Sequence, residues 1–201
     1  MVCSAGHNGK RAEWLYRANG HFRTITAHKL EVMRLCRLCG IPVQGWLHDL
    51  TKYLPVEFCT GVRYYQGTRS PNAAEREQKG FSEAWLHHKG RNKHHFEYWI
   101  DVPGKYGALF TAAPMPTRYI VEMFCDRVAA CKVYQGEAYT DSSPLEYFRR
   151  RDMRGLMHQD TAVMLETMLY ELAQRGEDET LAWIREAIVL PRFSQGECAR
   201  F

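Results

Sequence analysis

Four histidines, His87, His88, His94 and His95, lie within nine residues of a 201-residue chain that has nine histidines in all. Imidazole titrates near neutrality and is the commonest side-chain metal ligand. A cluster this dense therefore suggests a metal site or a phosphate-facing wall, against supporting hydrogen bonds or a surface basic patch. A second group suggests the same chemistry. His48 and Asp49 are adjacent and flanked by Trp46, Leu47 and Leu50. Placing an imidazole and a carboxylate among apolar neighbours is costly unless something satisfies them. A divalent ion would do so, because both groups are usual ligands. Lys52 follows His48 by four residues and would share its face of a helix. Its ammonium cannot ligate a metal but can meet an anionic substrate held by one.

His28 is a further candidate ligand, as is Asp126 among Val121, Met123, Phe124 and Val128. Glu122 precedes Asp126 by four residues and shares its helix face. It could orient a ligand, accept a proton, or pair with Arg118. Neighbours on a helix point about 100° apart, so only one or two members of the histidine cluster are expected to face the site. Trp85 and Leu86 favour His88 over His87, while His94 and His95 compete closely, with a slight preference for His95. Asn92 can cap a following short helix. Lys89, Arg91 and Lys93 make the segment electropositive, which suits a phosphate-bearing ligand. Arg91, Asn92 and Lys93 are the candidate substrate-binding residues.

These residues need helices to position them, and helical spacing dominates the chain. The expected elements are helices over about 26–39, 43–53, 55–65 and 73–88, then 117–134, one from 145, 160–174 and 179–189. Thr24 or Thr26 would cap the first, and Gly40-Ile41-Pro42 would end it. Pro55 suits a first helical turn. Residues 101–116, with Gly104, Gly107 and three prolines, read as a long connection. Cys36 and Cys39 fall inside a helical pattern without a second such pair, so they read as core rather than zinc or redox residues. Tyr64, Tyr65, Phe96, Tyr98 and Trp99 read as packing or pocket wall. Arg149, Arg150, Arg151 and Arg154 read as a solvated face. His7, His21 and His158 have no assigned role.

Composition sets the frame. With 45% apolar residues the chain can bury one ordinary core, so a single all-α domain over 1–201 is expected. Its site-bearing part spans about 24–134, with C-terminal helices over about 145–190 packed on it. The net charge of +4 is too small to indicate nucleic acid. Seven scattered cysteines suit a reducing compartment. No apolar run long enough for a bilayer and no leader pattern is visible, so a cytoplasmic protein without a membrane partner is expected.

The run His48-Asp49-Leu50-Thr51-Lys52 resembles the helix that names the HD-domain superfamily of metal-dependent phosphohydrolases. That superfamily uses a histidine on an earlier helix, the His-Asp pair and a later aspartate, with intervening histidines in members that hold two metals. His28, His48-Asp49, the cluster His87 to His95, and Asp126 follow that order over about 26–130. More narrowly, the sequence is similar to a small uncharacterised family of bacterial and phage proteins with HD-like features. That similarity rests on His48 to Lys52, on Asn92-Lys93-His94-His95-Phe96-Glu97-Tyr98-Trp99 and on Glu122-Met123-Phe124-Cys125-Asp126, and it implies no activity.

The superfamily resemblance implies an HD-domain-like helical bundle that hydrolyses a nucleotide or other small phosphoester. His28, His48, Asp49 and Asp126 would hold one divalent ion. Asp49 would bridge to a second, held by His88 and by His94 or His95. Lys52, with Arg91 or Lys93, would steady phosphoryl charge, and Glu122 would assist proton transfer. One or two ions of Mn, Fe, Co or Ni suit these ligands better than Mg alone. Two other readings use the same residues: an HD-type di-iron oxygenase of the inositol oxygenase kind, and a non-catalytic ligand-binding or regulatory HD-like protein.

Overall fold

Nine α-helices and one two-stranded hairpin make up the all-α fold of residues 5–104, 109–150 and 153–191, which the computed structural model describes. The first helix, α1, runs Ala5–Leu38. It begins well before the expected capping threonines, because no proline precedes Pro42 to stop it. Thr24 and Thr26 instead lie in its interior. The Thr24 hydroxyl donates to the Gly20 carbonyl at 3.0 Å, and the Thr26 hydroxyl pairs with that of Tyr53 at 3.1 Å. His21, Ile25, His28, Val32, Leu35, Cys36 and Cys39 form the buried stripe of α1 and of the turn that follows it. The two cysteines of that stripe are free and belong to the core.

Helix α2 is short, Pro42–Leu47. The expected continuation to residue 53 is broken at His48 and Asp49, and a 3-10 turn covers Leu50–Tyr53. Helix α3 spans Pro55–Arg63. The stretch read as one helix over 73–88 is two, α4 (Pro71–Lys79) and α5 (Glu83–Lys89). Gly80, at φ 84°, ends the first in the left-handed region, and Ser82 caps the second by accepting from the Trp85 amide at 3.0 Å. The connection after residue 100 holds a small hairpin, Ile100–Asp101 against Thr111–Ala112. Gly107 lies outside the described residues, as does Arg151.

Helix α6 (Thr117–Gln135) is the central element. It packs on α1, α2 and α7 (Ser143–Arg150), and on α8 (Gln159–Arg175). Val121, Phe124, Cys125 and Val128 meet Val32 and Leu35 of α1 and Leu165, Met168 and Leu169 of α8 in one fully buried core. Helix α9 (Glu177–Trp183) continues as a π-helical segment over Ile184–Val189. Glu31, Arg34, Lys132 and Glu177 link α1, α6 and α9 through ion pairs. His158 caps α8, its Nδ1 accepting from the Asp160 amide at 3.2 Å. Among the described residues, no helix is long and apolar enough to cross a membrane.

Candidate metal centre

His28 sits on the buried stripe of α1, and Asp126 on the facing side of α6. His48 and Asp49 lie between them, at the broken end of α2. His48 leaves the helix with ψ 129°, and Asp49 then takes φ 52°, the only positive φ of a non-glycine residue in the described chain. Aspartate tolerates this left-handed region better than most residues, and strain of this kind collects at functional sites. The break has a geometric result. Neighbours on a continuous helix would diverge, whereas here both side chains turn inward. The Lys29 ammonium donates to the carbonyls of Trp46 and His48 at 2.8 and 2.7 Å, which holds the frayed end of α2 in place.

Three overlapping groups of possible ligands result: two share Asp49, and a third joins His48 and His94 to Glu122. His28, His48, Asp49 and Asp126 each bring one ligand atom into a group whose members lie within 4.8 Å of one another. His28 Nε2 is 3.0 Å from Asp126 Oδ1, and His48 Nε2 is 3.2 Å from Asp49 Oδ2 and 3.5 Å from Asp126 Oδ1. On the other side of Asp49, its Oδ1 lies 3.1 Å from His88 Nε2 and 3.4 Å from His94 Nε2, and His95 completes that group. The buried atoms Asp49 Oδ1 and Oδ2 and the Nε2 atoms of His88, His94 and His95 lack a hydrogen bond of good geometry, and the Asp49 oxygens meet Lys52 and the imidazoles only as close ionic contacts. Such a concentration of unsatisfied buried polar atoms calls for an occupant. The donor set of imidazole nitrogens and carboxylate oxygens fits a transition-metal ion.

The expected choice between His94 and His95 is not made: both point into the site. Residues 90–95 are not helical, and His95 is extended at φ −86°, ψ 126°, so the 100° divergence of helical neighbours does not apply. His87 turns away and meets Glu57 Oε1 through Nδ1 at 2.6 Å. The imidazoles crowd together at a tilt, with ring centroids 4.4 Å apart for His48 and His94 and 4.1 Å for His94 and His95. The Trp85 ring, 4.7 Å from that of His95, walls one side.

Several expected roles change. Glu122 is buried behind the ligands rather than facing a substrate. Its Oε1 lies 3.0 Å from Nδ1 of both His48 and His94. Asn92 is not available to a substrate either. Its Nδ2 donates to Thr51 Oγ1 at 3.0 Å and to the His88 carbonyl at 2.8 Å, so it braces the turn that brings the cluster round. Arg91 is exposed and donates to the His87 carbonyl at 3.1 Å, and the Lys93 ammonium lies over the rings of Tyr98 and Tyr119. Lys52 does reach the site, although it shares no helix with His48. Its Nζ lies 2.5 Å from Asp49 Oδ2.

Glu57 is the supporting residue the sequence reading missed. Its Oε2 takes His88 Nδ1 at 2.8 Å. Its only signal in the sequence was a carboxylate three residues into a helix that Pro55 opens, which is unremarked in most chains. Tyr134 was missed as well. Burial raises its hydroxyl above the usual phenol range, and the charges of Lys52 and Asp126 are felt there as well.

The electrostatics sort the ligands into two kinds. Burial pushes His28 and His95 below the usual imidazole range, so both are neutral. Burial also opposes the charged forms of His48 and His88, but the neighbouring Asp49 carboxylate outweighs it and raises both. Asp49 and Asp126 are lowered well below the carboxylate range, because hydrogen bonds and charges from the surrounding imidazoles, with Lys52 at Asp49, overcome the burial that would raise them.

A family model described as "Family of unknown function (DUF5662)" matches residues 17–171. That match covers every candidate ligand, and the chain belongs to this family. Neither the curated proteins nor the solved structures contain a match to the chain.

Proposed function

We propose that this member of the DUF5662 family is a metal-dependent phosphohydrolase of HD-domain type, acting on a nucleotide or other small phosphoester. One observation carries the reading: Asp49 presents its two buried oxygens to two separate sets of buried, metal-competent side chains. A carboxylate so placed suits a pair of divalent ions that share a bridging ligand. His28, His48, Asp49 and Asp126 would hold one ion, and Asp49, His88, His94 and His95 the other. When bound, such ions supply Lewis acidity toward a water and a phosphoryl oxygen.

The chain's own residues do the rest. Lys52 brings a fixed positive charge to the edge of the site, suited to phosphoryl oxygens that gain charge as the bond to the leaving group breaks. Its pairing with Asp49 keeps it charged despite partial burial. Glu122 and Glu57 hold the histidine rings from behind, so that Nε2 faces inward. The Trp85 ring, packed edge-on against His95, closes one side of the site.

The test is metal analysis of the purified chain, followed by phosphate release from a panel of nucleotides and phosphoesters with Mn2+. Two equivalents of metal and Mn2+-dependent phosphate release, both lost in Asp49→Ala, are the expected result. Bound iron with a redox-dependent optical signal and no phosphate release would favour the oxygenase chemistry instead. Tight metal binding without turnover would favour a binding or regulatory role. No bound metal under any condition would remove the reading.

A further inference from the structure

We infer that Glu122 is a single positioning residue for both ion sites, holding one histidine from each set in the tautomer that ligates. The inference rests on the metal reading above and goes beyond it to a residue outside the two sets that share Asp49, one whose carboxylate meets the Nδ1 side of His48 and His94. Glu122 Oε1 lies 3.0 Å from His48 Nδ1 and 3.0 Å from His94 Nδ1. His48 belongs to the set that includes Asp126, and His94 to the set that includes His88 and His95. A carboxylate oxygen is an acceptor with two lone pairs, so one atom can take an N–H from each ring. An imidazole that donates through Nδ1 carries its free lone pair on Nε2. In both rings that Nε2 is the atom turned into the site.

Glu122 is well suited to this. It is 5% exposed, so water does not compete for its oxygens. It lies one helical turn before Asp126 on α6, so the helix that supplies a ligand also supplies the clamp. Glu57 makes a useful contrast. It takes Nδ1 of His88 at 2.8 Å and of His87 at 2.6 Å. Of these only His88 belongs to a ligand set, so Glu57 serves the second site alone.

The contrast gives the test. Titrating the full chain with Co2+, followed by calorimetry and visible absorption, reads the stoichiometry and the affinity of each step. Wild type is expected to take two equivalents. Glu122→Gln, close in shape but uncharged, is expected to weaken both steps by about 10–100-fold, the usual effect of losing a carboxylate behind a metal-bound histidine. Glu57→Gln is expected to weaken one step by a similar factor and leave the other unchanged. Two equivalents bound by Glu122→Gln with only one step weakened, or neither, would overturn the inference and leave the metal reading standing. A wild-type chain that binds no Co2+ would remove both. Long-range 1H–15N spectra of the Zn2+-loaded wild type provide a check that needs no variant. His48 and His94 are both expected to show a proton on Nδ1, and a proton on Nε2 of either ring would overturn the inference.

Discussion

At the residue scale, Asp49 is the one side chain both ligand sets require. Asp49→Ala is expected to lose both ions, whereas His28→Ala loses one, measured as metal-to-protein ratio after gel filtration. Protons and metals compete at this site, and the direction follows from the shifts. His48 and His88 have folded pKa values raised above the usual 6.5. Their contribution to metal-free stability is fully present below 6.5 and is lost as pH rises through the folded values. Asp49 and Asp126 are depressed. Their contribution is present above the unfolded value of about 3.9 and is lost as pH falls through the folded values. A metal must displace the imidazole protons, so binding is expected to release protons and to strengthen as pH rises through the neutral range. Calorimetry in buffers of different ionisation enthalpy measures that release.

His21 titrates apart from the metal ligands. Burial against Phe58 and Tyr65, with Lys52 nearby, lowers its pKa to about 4. The unfolded chain binds this proton more readily than the folded one, so stability falls as pH drops from about 6.5 toward about 4. The loss is of order 3 kcal/mol over that window. His21→Phe is expected to flatten this limb of the stability curve in urea melts taken at successive pH values. An unchanged limb would show that other groups control it.

At the element scale, the site depends on close approach. Helix α3 can pack on α1 because Gly61 faces His21: a Cβ at Gly61 would sit 2.1 Å from His21 Nε2. Gly61→Ala is therefore expected to cost about 1–3 kcal/mol, the usual range for overpacking. The cost should appear as a lower urea midpoint with an unchanged slope. Because α3 also carries Glu57, the same variant is expected to weaken metal binding at the set containing His88. The helix spacing that made 117–134 legible in the sequence serves α6 well, since a long apolar stripe leaves little choice. It misled at 43–53 and at 73–88. Leu50 and Tyr53, or Ala84 and Leu86, sustain an apolar rhythm across a break that is decided by the positive φ of Asp49 and Gly80.

At the scale of the whole molecule, the two ligand sets draw on α1, the α2–α3 connection, α5 with the turn after it, and α6. Bound ions would tie these segments together as a staple. An ion present at 100 times its dissociation constant adds about 2.7 kcal/mol, which for a chain of this size raises the melting temperature by about 5–10 °C. Mn2+ or Co2+ is expected to produce that rise in wild type, EDTA to reverse it, and Asp49→Ala to abolish it. A melting temperature that ignores both metal and chelator would count against any structural ion.

The sequence by itself determined the helical class, the apolar stripes that build the core on α1, α6 and α8, and the identity of the candidate ligands. Those properties are local: a stripe repeats along one helix, and a ligand is recognised by its side-chain chemistry and its order in the chain. Only the tertiary structure decided that His94 and His95 both point inward while His87 turns to Glu57, and that Glu122 and Asn92 brace the histidines and the turn rather than face a substrate. Each of these depends on where a side chain points once the helix has ended. That direction is set by the backbone break at Asp49 and by the irregular turn before His94, neither of which leaves a period in the sequence. The pairing of Glu122 with His48, 74 residues apart, exists only because α6 packs across the end of α2.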